Sequence, residues 1–121
     1  MGKAENFKKG REGENIAALF LEKKGFRIIE RNFKTHCGEI DIIASYGNEL
    51  VFVEVKARKG YGFGIGADSV NYAKRIRLSN AAEIYISKNG RKYGGFRFDV
   101  ISVDLSAMRV IEYIENAFDG I

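Results

Sequence analysis

At 121 residues, with a formal net charge of +4 and 45% hydrophobic content, the chain reads as one globular domain over residues 1–121 that needs no disulfide or structural metal to stay folded. Cys37 is the only cysteine and His36 the only histidine, which excludes an intramolecular disulfide, a cysteine zinc cage within one chain and a histidine-rich metal site, and argues against a Ser-His-Asp triad. Any acid–base or metal chemistry must therefore rest on carboxylates and lysines.

Residues from about Asn6 to Lys24 predict a helix with Ile16, Ala17, Phe20 and Leu21 on one side, stopped by Gly25 with Phe26 folding back on its last turn. Phe26–Phe33 reads as a strand. Ile40–Ala44 and Leu50–Ala57 read as two more, around a Gly47-Asn48 turn. The run from Leu50 to Lys56 is apolar on both faces before its charges begin, as in a central strand covered on both sides. Gly60–Gly66 carries glycine at every second position and reads as a flexible connector, with Tyr61 and Phe63 available to stack on bases.

Asp68 or Ser69 is positioned to cap a second helix running to about Lys88 and ending at Asn89-Gly90. Its apolar face comprises Val70, Ala73, Leu78, Ala81, Ile84 and Tyr85, with Lys74 and Arg77 within about 40° of the centre. Cations so placed must snorkel out or meet an anion. Phe96–Asp104 and Met108–Tyr113 complete the elements as a hairpin around Leu105–Ala107, with Phe96, Phe98, Val100 and Phe118 expected in the core. The order α-β-β-β-α-β-β predicts an α/β fold, a mixed central sheet flanked by helices.

The first hairpin carries the sharpest inference. A turn centred on Gly47-Asn48 makes paired residue numbers sum to a constant, so Asp41 faces Glu54 and Glu39 faces Lys56. Strand alternation then sends all four side chains to one face, with directly opposed Cβ atoms roughly 5 Å apart. Two carboxylates that close repel each other, and either a hard divalent cation or a shared proton must offset the cost. Lys56 reaches the same patch and is suited to orient a water or balance a phosphate oxygen. The plainer alternative is a cross-strand Glu39–Lys56 ion pair beside two surface acids.

Asp41 followed by Glu54-Val-Lys56 matches the D…(D/E)-x-K signature of restriction-endonuclease-like nucleases. A wider pattern accompanies it: Gly10-x-x-Gly-Glu14, Gly25-Phe, Glu30-Arg-Asn32, Gly38-Glu-Ile-Asp-Ile-Ile-Ala44, Leu50 to Arg58, Arg97-Phe-Asp-Val100 and Asn116-Ala-Phe118. In this order, over nearly the entire chain, it resembles the YraN family, which is in turn similar to archaeal Holliday junction resolvases in its first half. The resemblance implies a restriction-endonuclease-like fold and a Mg²⁺- or Mn²⁺-dependent nuclease acting on DNA. The chain departs from the family in carrying Gly60–Gly66 where a charged, proline-containing segment is usual.

Carried onto this sequence, the resemblance makes Asp41, Glu54 and the Val55 carbonyl the metal ligands, with Glu14, the first-helix acid, assisting directly or through water. Lys56 becomes the residue that positions the attacking water and Lys74 the one that stabilises the phosphate. An isoelectric point near 9.2 suits a polyanionic partner. Lys8, Lys9, Arg11, Arg58, Lys59 and Arg77 are the cations expected to hold DNA phosphates around the opening. No apolar run reaches the roughly 18 residues of a membrane span, and the first residues lack a signal-peptide core, so a cytoplasmic protein is expected. A homodimer is the simplest arrangement for cutting two strands. The alternative reading is a non-catalytic nucleic-acid-binding module of the same fold.

Overall fold

The computed structural model describes residues 3–59, 71–89 and 92–118, with side chains from residue 10 onward. Gly60–Gly66, Asp68, Ser69, Val70 and Gly90, and the side chains of Lys8 and Lys9, lie outside that set. The elements are α1 (Lys3–Lys23), β1 (Arg27–Lys34), β2 (Glu39–Tyr46), β3 (Glu49–Arg58), α2 (Tyr72–Asn89), β4 (Gly95–Asp104) and β5 (Arg109–Phe118). Among the described residues, no helix is long and apolar enough to cross a membrane.

α1 ends as its sequence dictates. Gly25 takes the left-handed φ of 98°, which carries no Cβ penalty in glycine. Gly25 N–H then donates to Glu22 O and Phe26 N–H to Leu21 O, each at 3.0 Å, the paired bonds of a Schellman stop. Phe26 is thereby turned inward and buried.

The strands form one five-stranded sheet in the order β1-β2-β3-β4-β5. All neighbours are antiparallel except β3 and β4, whose parallel ladder runs from Glu49↔Gly95 to Arg58↔Asp104. α2 belongs to the crossover between those two strands, as parallel neighbours require. The β2–β3 register pairs Tyr46 with Glu49 and Ile42 with Val53, which places Gly47-Asn48 at the turn as the sequence predicts.

Each helix covers one face. Ala17, Ala18 and Leu21 of α1 pack on Ile42, Ala44, Val51, Val53, Ile101 and Val103. Leu78, Ala81, Ala82 and Tyr85 of α2 pack on Ile43, Leu50, Phe52, Phe98, Val100 and Phe118. β3 feeds both layers through alternate residues, which accounts for its near-continuous apolar run.

Several expectations are corrected. Asn71 caps α2, its Oδ1 accepting the Lys74 N–H at 2.9 Å, in the ordinary N-cap geometry. The inward stripe of α2 is Leu78, Ala81, Ala82 and Tyr85, so Ala73 and Arg77 are rotated off it and exposed. Phe96 is 52% exposed, resting edge-on against Phe52 and Phe98 with its outer side in solvent. β5 runs on to Phe118 through two irregularities in its pairing with β4. Such bulges interrupt the period-two alternation that marks a strand in sequence.

Candidate active site

The acid pair forms where β2 and β3 part. Their ladder ends at Ile42↔Val53, one step short of Asp41 and Glu54. The next backbone donor, Val55 N–H, is taken by the Asp41 side chain, donating to Oδ2 at 2.8 Å. Ile40 and Ile43 both join the α2-side core, so alternation along β2 breaks between them, at Asp41. Glu39, Asp41 and Glu54 nevertheless border one hollow with Lys74 and Leu78 of α2, and Glu39, Asp41 and Lys56 border one cleft, so the four side chains converge as the hairpin register predicts. Asp41 reaches across the gap between the strands, and Glu54 and Lys56 lie on the α2 side.

Glu54 is 4% exposed. Its Oε2 touches the Lys74 ammonium and lies 3.7 Å from Lys56 Nζ, yet it lacks a well-directed hydrogen bond and is shielded from water. Asp41 is close enough to Glu54 to share a proton. Burial first, then the charge of Glu54 and the hydrogen bond to it, push the Asp41 carboxyl up to about 8, against the opposing effect of the Val55 N–H; Glu14 adds a smaller push. Burial, followed by the nearby Lys74 charge, lowers the Lys56 ammonium below its ordinary value. Burial would also lower Lys74, but the Glu54 carboxylate outweighs it and holds Lys74 above its ordinary value.

Glu14 reaches this centre because α1 approaches the sheet closely. A Cβ on Gly13 would lie 2.4 Å from the Cβ of Ala57, so only glycine lets the helix sit so near β3. Glu14 is buried, and its Oε1 accepts from Arg31 Nε and Asn32 Nδ2, each at 2.9 Å.

Asp41, Val55, Lys56, Lys74 and Glu14 border one cleft of about 720 Å³. Glu54, with Asp41, Val55 and Lys74, borders an adjoining hollow of about 300 Å³. Arg11 and Arg58 stand on the rim of the cleft and Arg77 on that of the hollow, while Lys59 is exposed just past Arg58. Lys34 and Asn32 also line the cleft. Sequence reasoning assigned neither a role, although Asn32 belongs to one of the quoted motifs.

A second polar cluster involves another of those motifs. Asp99 is fully buried; it accepts from Arg97 Nε at 3.0 Å, Tyr113 OH at 2.6 Å and Asn116 N–H at 2.9 Å. Arg97 Nη1 donates to Glu49 at 2.8 Å. Burial and the bond to Asp99 raise the Tyr113 phenol above its ordinary range. The carboxylate is spent on ties between β4 and β5, and Arg97 extends them to β3. This cluster is structural.

Among the described residues, no three carboxylate, histidine or cysteine side chains form a ready-made metal cage. The donors at the cleft are nevertheless hard oxygens, and one of them, Glu54 Oε2, is shielded from water and lacks a well-directed hydrogen bond even beside two ammonium groups. That chemistry fits a small divalent cation.

A family model described as "Uncharacterised protein family UPF0102" matches residues 13–103. The chain belongs to the UPF0102 family. This is the YraN family that the sequence motifs resemble. A UPF0102 protein of Alkaliphilus metalliredigens is 46% identical over 109 residues, covering 90% of this chain and 96% of its own. A UPF0102 protein of Thermodesulfovibrio yellowstonii is 48% identical over 109 residues, covering 90% and 94%. In three dimensions the chain is similar to the crystal structure of an XisH family protein from Nostoc punctiforme, with a TM-score of 0.50 at 13% identity over 85% of this chain and 98% of that one. The fold of this UPF0102 member is thus a mixed five-stranded sheet flanked by helices, similar to that of the XisH family protein.

Proposed function

We propose that the protein is a Mg²⁺- or Mn²⁺-dependent phosphodiesterase, an endonuclease acting on DNA, with branched or repair and recombination intermediates as the substrates to try first. The observation that carries this reading is the meeting of Asp41 and Glu54 beside Lys56 and Lys74, in a cleft rimmed by arginines. Asp41, Glu54 and the Val55 carbonyl would hold the metal, with Glu14 assisting. When bound, the ion would acidify a water and neutralise charge on a phosphoryl oxygen.

The protein's own groups do the rest. Lys56, its ammonium weakened by burial, orients the attacking water. Lys74 exchanges Glu54 for a phosphate oxygen as the substrate arrives, bringing positive charge to where the transition state accumulates negative charge. Arg11, Arg58 and Arg77, with Lys8, Lys9 and Lys59, hold neighbouring phosphates. Cutting both strands of a duplex would use two copies, and the protein would act in the cytoplasm.

The test is cleavage of branched, flapped, single-stranded and duplex DNA with and without Mn²⁺. Wild type is expected to cut only with the metal, and Asp41→Ala to be inactive. Equal activity in the two proteins would reject the mechanism.

A second reading, a non-catalytic nucleic-acid-binding module, draws on one observation: the Lys74 ammonium already offsets the Glu54 charge. It expects salt-sensitive DNA binding that is indifferent to substitution of Asp41 and Glu54.

A further inference from the structure

β1 contains a backbone irregularity level with the acid centre. Its pairing with β2 passes from Arg31↔Ile42 to Phe33↔Ile40, which sets Asn32 across from Asp41. Asn32 has a φ of 55°, a left-handed conformation that Asn tolerates better than most side chains and that is uncommon inside a strand. Consecutive strand residues ordinarily point to opposite faces. Here Arg31 and Asn32 both reach the same atom, Glu14 Oε1, at 2.9 Å each. Arg31 is itself anchored, its Nη2 donating to Asn15 Oδ1 at 2.6 Å.

From this geometry we propose that Arg31 and Asn32 are positioning residues, which fix the Glu14 carboxylate toward the acid centre by occupying its Oε1 and leaving Oε2 as the oxygen that serves the cleft. The proposal rests on the nuclease reading, with Glu14 as a partner of the metal. A left-handed residue within a strand carries a conformational cost, and such costs gather where a site demands them. Joining α1 to β1 would need only one of these bonds. Two donors of fixed direction on one oxygen also set the rotation of the carboxylate, as outer partners of metal ligands do. Asn32 and Glu14 both line the cleft that holds Asp41.

The position permits a clean experiment. Asn32→Gly keeps a residue at ease with a positive φ and removes the side chain that carries the donor. Arg31→Lys keeps the charge and loses the directed Nε, so the outcome does not hinge on one variant folding. Mn²⁺ affinity by titration calorimetry, melting temperature in EDTA, and kcat and KM for DNA cleavage are measured on the full chain.

Each variant is expected to bind Mn²⁺ about tenfold more weakly, to lose kcat in step, and to keep KM and the metal-free melting temperature near wild type. In a Glu14→Gln background, Asn32→Gly is expected to have no further effect on Mn²⁺ affinity. Asp41→Ala is measured alongside. If it loses Mn²⁺ while Asn32→Gly and Arg31→Lys bind as wild type, the positioning role is overturned and the nuclease reading stands. If Asp41→Ala itself binds Mn²⁺ unchanged, the nuclease reading fails and takes the positioning role with it.

Discussion

The Asp41 carboxylate accepts the Val55 N–H at 2.8 Å, at the step where β2 and β3 stop pairing. One side chain thus stands in for a rung of the ladder and remains beside Glu54. This arrangement ties the acid to the backbone of the strand that carries its partner, and it makes the charge of Asp41 a matter of stability as well as chemistry.

The pH dependence follows in sign. Asp41 titrates at about 8 in the folded protein against the ordinary aspartate value of 3.8. The folded state therefore binds this proton more tightly than the unfolded chain. Its stabilising contribution is complete below about pH 4 and is lost as pH rises through about 8. Asn can accept the same Val55 bond without ionising. In EDTA, Asp41→Asn is expected to gain on wild type in melting temperature as pH rises from 5 to 8, by more than about 5 °C, and to keep that lead at pH 9. Parallel melting profiles for the two proteins would show that Asp41 is ionised without penalty.

Much of this centre was legible in the sequence. The Gly47-Asn48 turn set the register, the doubly apolar run identified β3 as central, and the register placed Asp41 beside Glu54. What was hidden depends on departures from regular geometry. Alternation carried strictly along β2 would send Ile40 to the α1 face, whereas Ile40 packs on the α2 side and the strand breaks step beside Asp41. The left-handed Asn32, which turns two successive β1 side chains to one acceptor, leaves no periodic trace. Arg77 reads as part of an inward face when Ala73 is counted into it, whereas among the described residues the stripe that packs begins at Leu78.

Glu54→Gln separates the two lysines from their shared anion. Lys56 and Lys74 then face each other across a neutral amide, with one side chain 16% and the other 36% exposed. Stranding a buried charge costs roughly 3–5 kcal/mol, and partial access to water reduces this. Glu54→Gln is expected to lose about 2 kcal/mol in urea denaturation together with all metal-dependent cleavage. A variant as stable as wild type would mean that the lysines swing freely into solvent.

Asp99→Asn tests a buried acid that lies outside the cleft. Asp99 accepts from Arg97, Tyr113 and the Asn116 backbone and faces no opening. Losing its charge weakens hydrogen bonds of the stronger, charge-assisted kind, so stability is expected to fall by about 2 kcal/mol. Mn²⁺ affinity and cleavage by the folded fraction are expected to match wild type. A selective loss of Mn²⁺ binding would show that the β4–β5 clamp and the cleft are coupled.

Gly13→Ala opposes local preference to tertiary packing. Alanine is a better helix former than glycine by about 1 kcal/mol, so an exposed helix would gain from the change. Here the new methyl would lie 2.4 Å from Ala57 Cβ, and the helix must lift from β3, which costs about 1–3 kcal/mol in a packed interior. The expected result is a net loss of stability, with a weaker hold on Mn²⁺ as Glu14 retreats from Asp41. Removing the opposing methyl relieves the clash, so Gly13→Ala with Ala57→Gly is expected to recover most of both losses, a coupling that two unrelated sites do not show. Additive losses in the double variant would mean that the α1–β3 approach is not what brings Glu14 to the acid pair.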